Sequence, residues 1–534
     1  MNSKILTVYV VFFSGLFLSG CNSNFEFNDN ESKIENKIDQ STALIDESMI
    51  QAMKIDKNAK KWAIDLYNLN KNHAFWIKSE SISSDQALFF AYVNSDTALN
   101  IPFGYFSTPS YKNETTLFEK EVITALRCAE FLNLKDTSIF NHQKNTANIS
   151  QRVSAEHFID FFNAFDNPSW IAHLLNFKEN NKHLVKMHLA MNKFTKKYGI
   201  ETNTNSEIPT DLKDSLAVFH FISQQLMKRN FIEDTTLKQD ELVEQLRQYQ
   251  FLNGLNTDGA IGRNTIGALT ETNYSRYLKG VLSIDKLRGF PDSLIGKKRI
   301  VINIPSYLLH LYIDDQIVNT SKVIVGTQKN QTPLFTATMQ YFVVNPYWNV
   351  PYSIASKEIL PHLKKDSSYL RRNNYTLLDR NKNILIADSI NWKNISPSNF
   401  PYFVRQEPGP RNSLGLVKLM FPNDHAIYIH DTPSKSLFSR DERTFSHGCI
   451  RTEHPFKLAH DILASENHKY IDSVEHYLTL PKETYLILGE KFPVTIVYHT
   501  AGVNDSTQEV QFYKDIYKKE EEINQLFQST PKEN

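Results

Sequence analysis

The segment "FSHGCIRT" sets an imidazole, a thiol and a guanidinium close together: His447, Cys449 and Arg451. A thiol reacts as its thiolate, so a nucleophilic Cys449 needs a base or a positive field beside it. Two imidazoles qualify. His447 shares a face with Cys449 if the segment is extended, but not if Gly448 bends it. His430 closes the apolar run "AIYIH", and a strand end is a rigid place from which to aim a side chain at a loop. Spacing does not choose between them. A zinc site made of His430, His447 and Cys449 is chemically conceivable, although the close-spaced Cys or His pairs of the usual metal pattern are missing. A disulfide would need Cys128, which lies in "LFEKEVITALRCAEFLNL", a helical pattern that marks it as core. His425, in "PNDHA", has the setting of a turn residue.

The elements around these residues divide the chain. From residue 48 to 235 the apolar spacing is mostly helical, as in "HLVKMHLAMNKFTKKYG", and predicts a helical scaffold. Residues 236–280 carry a helix with Leu242, Leu246 and Tyr249, then "NGLNTDGAIGRNTIGAL", whose Asp258-Gly259 and Gly262 mark tight turns. Residues 298–489 change texture. "RIVINIPSYLLHLYIDDQIVNTSKVIVG" and "GLVKLMFPNDHAIYIHDTP" alternate and are rich in β-branched residues, which predicts strands joined by Asp-Asp, Gly and Pro turns. Within this β-rich part, residues 353–409 read as helix and then loop, an insertion placed as a lid. Residues 490–534 predict a last strand and a charged helix, "YKDIYKKEEEINQLF". The expected class is multidomain α+β with a mixed-sheet or β-sandwich C-terminal domain.

The N-terminus suggests export. A basic start precedes an apolar run of signal-peptide length, too short to span a bilayer, which takes roughly 20 residues. It ends in "LSGC", which resembles a bacterial lipobox. The expectation is a signal peptide over 1–20, a lipidated Cys21 and a flexible tether over 21–47, leaving the protein periplasmic and lipid-anchored to a bacterial membrane. Lys+Arg and Asp+Glu are equal at 59 each, which gives no support for a nucleic-acid partner. The apolar fraction, 41%, suits globular cores.

Two resemblances sharpen this. Gln250, Gly254, Leu255, Asp258, Gly259, Ile261, Gly262, Thr265, Ala268 and Leu269 follow the pattern of the small three-helix peptidoglycan-binding module. "YIHDTPSKSLFSRDERTFSHGCIRT", with "NPYWNVP" and "GPRNSLGLVKLMFPN" upstream, resembles the signature of the L,D-transpeptidases, in a large branch with scaffold and binding modules. The resemblance implies Cys449 as nucleophile and His430 as general base. Asp431 is the local candidate to orient His430. It gives the oxyanion pocket to His447, Gly448 and Tyr428, and the substrate to Arg451, Asn412, Gly415 and Trp348. It implies no cofactor and no metal, a tetrapeptide donor and a stem-peptide acceptor of peptidoglycan, susceptibility to carbapenems, and a monomer. Hydrolysis by the same site, attachment of a protein to the wall, and a catalytically idle wall-binding lipoprotein are the competing readings.

Overall fold

The computed structural model describes residues 42–78, 81–82, 86, 89–90, 116–136, 140–141, 146–147, 152–163, 182–200, 208, 214–233, 237–288, 296–471, 476–477, 480 and 482–521. The expected signal peptide, Cys21 and most of the tether lie outside the described residues. None of the described helices is long and apolar enough to cross a membrane.

Helices α1 (Glu47–Ala52), α2 (Lys57–Leu69), α3 (Leu117–Asp136), α4 (Ala155–Asn163) and α5 (Lys182–Tyr198) build the scaffold. Asp46 and Asp56 cap α1 and α2 by accepting main-chain N–H groups of the first turn. Cys128 is fully buried in the scaffold core, as its helical spacing predicted. The region is not purely helical, because strand β1 (His73–Lys78) runs into it. The N–H groups of Phe75, Trp76 and Ile77 donate to the buried Glu121 carboxylate of α3, which ties the strand to that helix.

The next three helices are α6 (Ser215–Lys228), α7 (Gln239–Leu252) and α8 (Arg263–Thr270). They share one apolar cluster: Phe221, Ile222, Leu226, Leu242, Leu246, Tyr249 and Leu269. Packing therefore draws this unit from α6 rather than from residue 236. The following helix, α9 (Asn273–Arg288), buries Tyr277, Val281 and Leu282 in the scaffold cluster instead. Gln250 builds the glycine turn. Its amide nitrogen donates to Asp258 Oδ1 and the Ala260 carbonyl, and its oxygen accepts from Gly259 N. Gly259 needs its φ of +74°, and a Cβ there would strike Val243.

The β-rich domain contributes β2 (Arg299–Asn303), β3 (Leu308–Ile313), β4 (Gln316–Gly326) and β5 (Phe335–Val344) before the insertion. The insertion, which pairing extends back from 353 to 348, holds β6 (Trp348–Asn349), β7 (Tyr375–Leu378), β8 (Ile384–Leu385) and β9 (Phe403–Gln406). After it come β10 (Val417–Met420), β11 (Ile429–His430), β12 (Thr444–Ser446), β13 (Ile450–Thr452), helix α10 (Pro455–Ser465) and β14 (Thr484–Val497). The main sheet runs β12-β4-β13-β11-β10-β5-β14-β2-β3, and β3 also pairs with β4. The sheet thus closes on itself, because the long β4 reaches both edges, and closure removes exposed edges. Asp314 and Asp315 both have positive φ and make the tight β3–β4 hairpin expected of the Asp-Asp pair.

Three expectations change here. The insertion is not helix then loop: β6–β9 form a separate four-stranded sheet over a core of Ile359, Leu360, Leu377, Trp392, Phe400 and Val404. Its strands are two to four residues long, too short to show an alternation. The charged helix expected from residue 513 is absent through 520, where the Asp515 carboxylate accepts Lys519 N and Glu520 N and folds a turn. "PVTIV" does not open a separate segment either. It is the end of β14 and pairs in parallel with β2. The α6–α8 unit docks on the loop between β11 and β12. Asp441 accepts from Asn256 N at 3.0 Å and Asn264 Nδ2 at 3.3 Å, and the Ser439 carbonyl accepts from Asn256 Nδ2 at 3.0 Å.

Candidate active site

The closed sheet places "YIH" beside "CIR". β11 and β13 are parallel neighbours, with Ile429 opposite Ile450 and His430 opposite Arg451, and Ile450 N donates to the Tyr428 carbonyl at 3.1 Å. Ile429 and Ile450 are fully buried in the core, so alternation turns Tyr428, His430, Cys449 and Arg451 to the other face. β10 adds Lys418 opposite His430. Lys418, His430 and Arg451 thus form one cross-strand row, with Tyr428 and Cys449 beside it.

His430 is 5% exposed, and its Nδ1 lies 2.6 Å from the main-chain oxygen of Asp431. A carbonyl only accepts, so Nδ1 carries the proton and Nε2 presents a lone pair. Burial, then the Arg451 charge, pushes the imidazole down to about 3. The neighbouring residue does orient His430, but through its carbonyl. The Asp431 carboxylate is engaged elsewhere, accepting from Leu416 N at 2.9 Å and pairing with Lys435 at 2.7 Å. Gly415 makes room for it: φ is +64°, and a Cβ would overlap the Asp431 carboxylate. Gly415 therefore supports Asp431 rather than lining a cleft.

Cys449 is a free, half-buried thiol whose Sγ lies 3.8 Å from the Ala426 carbonyl. Burial raises its pKa, while hydrogen bonds from the Tyr428 main chain and phenol, and the charges of Lys418 and Arg451, pull the other way. Tyr428 itself is held protonated by burial. The turn before the thiol is internally tied. Ser446 Oγ donates to the Cys449 carbonyl at 2.6 Å and accepts from Gly448 N at 3.1 Å. Gly448 has φ of +120°, a conformation that favours glycine.

That bend corrects the place of His447. Its Nε2 lies 2.8 Å from Glu358 Oε1 in the π-helical turn Ala355–Ile359 of the insertion, so it faces the insertion instead of shaping the pocket around the sulfur. A site joining His430, His447 and Cys449 around one ion is not formed. Asn412 also moves out of the substrate role. It is 1% exposed, and its amide donates to the carbonyls of Pro346, Gln406 and Glu407, which closes a loop. Trp348 packs in the insertion core at 6.3 Å from the Tyr375 ring. Arg451 stays at the site, and its Nε has no hydrogen-bond partner among the described residues.

Lys418 is missed by the sequence reading, which takes Ser446 only as part of the signature. Lys418 Nζ sits 4.2 Å from the Tyr428 ring centre, and burial lowers its pKa while Cys449 raises it. The alternation "LVKLMF" puts Lys418 on the face opposite Val417, Leu419 and Phe421, but only strand register brings it to the thiol. Lys418→Met is expected to slow iodoacetamide alkylation of Cys449 at pH 8 by about tenfold, because a nearby cation favours thiolate. Lys418→Arg should hold the rate. Equal rates in all three proteins would remove Lys418 from the thiol's surroundings.

Residues 297–489 match the family model of the L,D-transpeptidase catalytic domain (YkuD). A Haemophilus influenzae protein named "Putative L,D-transpeptidase" is 34% identical over 289 residues, 53% of this chain and 57% of that protein. The alignment thus spans little more than half the length of that relative. Among solved structures, an L,D-transpeptidase from Mycobacterium smegmatis aligns over 38% of this chain and 58% of its own, with 13% identity and a TM-score of 0.18. The Ldtfm-avibactam carbamoyl enzyme aligns over 38% and 50%, with 13% identity and a TM-score of 0.16. The family match thus falls on the β-rich part of this chain and takes in Tyr428, His430, Cys449 and Arg451 together.

Proposed function

We propose that the protein is an exported cysteine L,D-transpeptidase that joins peptidoglycan stem peptides between third residues. One observation carries the reading. A neutral imidazole, its Nδ1 tied to the Asp431 carbonyl, and a free thiol lie at adjacent parallel strands, with a phenol and two cations around them.

The Cys449 thiol gives its proton to His430 Nε2 as sulfur bonds to the carbonyl carbon of the third residue of a tetrapeptide donor. The Tyr428 phenol and the Cys449 amide meet the developing oxyanion, and such preorganised donors contribute about 3–4 kcal/mol. The amide C–N bond breaks, the imidazolium returns the proton to nitrogen, and D-alanine leaves. A thioester remains. The side-chain amine of another stem attacks it, passes a proton to His430, and the sulfur leaves to be reprotonated. Two moderate steps replace one difficult exchange. Arg451, with its unpartnered Nε, offers a fork to a donor carboxylate. The insertion acts as a lid held to the nucleophile loop through His447 and Glu358, limiting water and favouring transfer over hydrolysis. The α6–α8 unit holds the polymer. A lipidated Cys21 anchors the protein in the periplasm.

Incubation with disaccharide-tetrapeptide, followed by mass analysis, tests this. A dimer formed with loss of D-alanine is expected. A tripeptide alone would mean an L,D-carboxypeptidase, and no Cys449-dependent change would sink the enzymatic reading.

A further inference from the structure

We infer that the C-terminal segment beyond the matched domain is a working part of the active site, with Tyr517 and Thr332 as positioning residues for the Gly448-Cys449 turn. The inference rests on the proposed reaction. Thr332, 1% exposed, donates from Oγ1 to the Gly448 carbonyl at 2.8 Å and accepts from Gly326 N at 2.9 Å. The Tyr517 phenol, itself buried, donates to the Gly326 carbonyl at 2.7 Å and accepts from Thr332 N at 3.2 Å. One hydroxyl thus closes both ends of the 326–332 loop, and the other passes that constraint to Gly448.

The loop has little freedom of its own. A Cβ on Gly326 would overlap Asn330 O and Thr332 N, so the backbone turns back on itself there. Gly326 also sits opposite Ser446 in the β4–β12 pairing, and Thr327 N donates to the Ser446 carbonyl at 3.1 Å. Ser446 fixes the nucleophile turn from within, and Thr332 fixes it from outside. A carbonyl held at Gly448 sets the plane of the peptide whose N–H belongs to Cys449. That N–H is the main-chain donor the reaction needs at the oxyanion.

Tyr517 is in turn fixed from behind. Its N–H donates to Tyr498 Oη at 2.8 Å, and Tyr498 Oη donates to Asp515 at 2.5 Å. Three residues on, the Glu520 carboxylate takes Lys286 Nζ of α9 at 2.6 Å and Thr500 Oγ1 at 2.6 Å. The strut therefore runs from a scaffold helix to the peptide before the thiol. Its tail half, residues 515–520, lies outside residues 297–489.

The test uses the full chain with Tyr517→Phe, Thr332→Val and Thr332→Ser, and two probes of the same sulfur. Disaccharide-tetrapeptide acylation in a single turnover needs the oxyanion donor; iodoacetamide alkylation does not. The inference expects Tyr517→Phe and Thr332→Val to acylate about tenfold or more slowly, since small misplacements at a reacting centre are costly. Alkylation should stay within about twofold, and Thr332→Ser should restore acylation. Wild-type acylation in Tyr517→Phe and Thr332→Val would overturn it. So would an equal fall of both rates with a lowered melting temperature, which would mark a purely structural role. A wild-type protein that is alkylated but never acylated would instead remove the proposed reaction beneath it.

Discussion

His430→Ala is expected to lower acylation of Cys449 by a disaccharide-tetrapeptide donor by about 10²–10⁴-fold, the range for loss of a positioned general base. Cys449→Ala should form no acyl-enzyme. His447→Ala should cost about tenfold or less, because its imidazole faces Glu358 and acts only through the loop's placement. Mass analysis of trapped acyl-enzyme at fixed times gives all three rates. The order matters more than the sizes: if His447→Ala were the more damaging of the two histidine variants, the base would be assigned to the wrong imidazole. His430 is the imidazole that the strand register sets beside the thiol segment. Its Nδ1 is committed to the Asp431 carbonyl, which fixes both ring orientation and tautomer, and leaves Nε2 to take the proton.

The second expected result is a pH profile without the usual imidazole limb. A base must be neutral to act, and protonation removes it below its pKa. An imidazole near its ordinary value of about 6.5 would lose roughly twentyfold in kcat/KM between pH 7 and pH 5. His430 is pushed down to about 3, so kcat/KM should change less than about twofold over that interval. The thiol, raised by burial, should stay protonated at neutral pH, so iodoacetamide alkylation should climb steadily into the alkaline range with no acidic plateau. A plateau near pH 5–6, in the range where a His⁺–thiolate pair would show one, would mean a preformed ion pair and a different resting state. Stability moves in the same window with a definite sign. Between about 6.5 and 3 the unfolded chain takes up a proton at His430 that the folded protein refuses, so stability falls as pH falls there. Melting curves at each pH separate that loss from a loss of base.

Part of this site could be read from the chain alone. Cys449, His430, Tyr428 and Arg451 lie in one contiguous motif, and the alternation of "AIYIH" puts Tyr428 and His430 on one face. Lys418 could not be found that way, since a single lysine among apolar strand residues ordinarily means a solvated face. Its meaning appears only when register sets it opposite His430. Asn412 and Gly415 were legible as important and misread in role: the motif marks both, and only packing shows that one closes a loop and the other seats the Asp431 carboxylate. The insertion strands are too short for a period, and the tail from residue 513 has a helical composition that the Asp515 turn overrides. Tyr517 and Thr332 meet across long sequence separation, which no local pattern encodes.

The contact of Asp441 with Asn256 and Asn264 changes what the α6–α8 unit can do. A unit on a loose linker would act by raising concentration, averaging over every distance the linker allows. Here it is clamped to the very loop that joins His430 to the thiol strand. If it holds the polymer as proposed, it behaves as a ruler: the bound chain meets the sulfur at one fixed interval. Sites along a repeating chain are then selected by spacing, and a repeat that does not match the interval gains nothing from being bound.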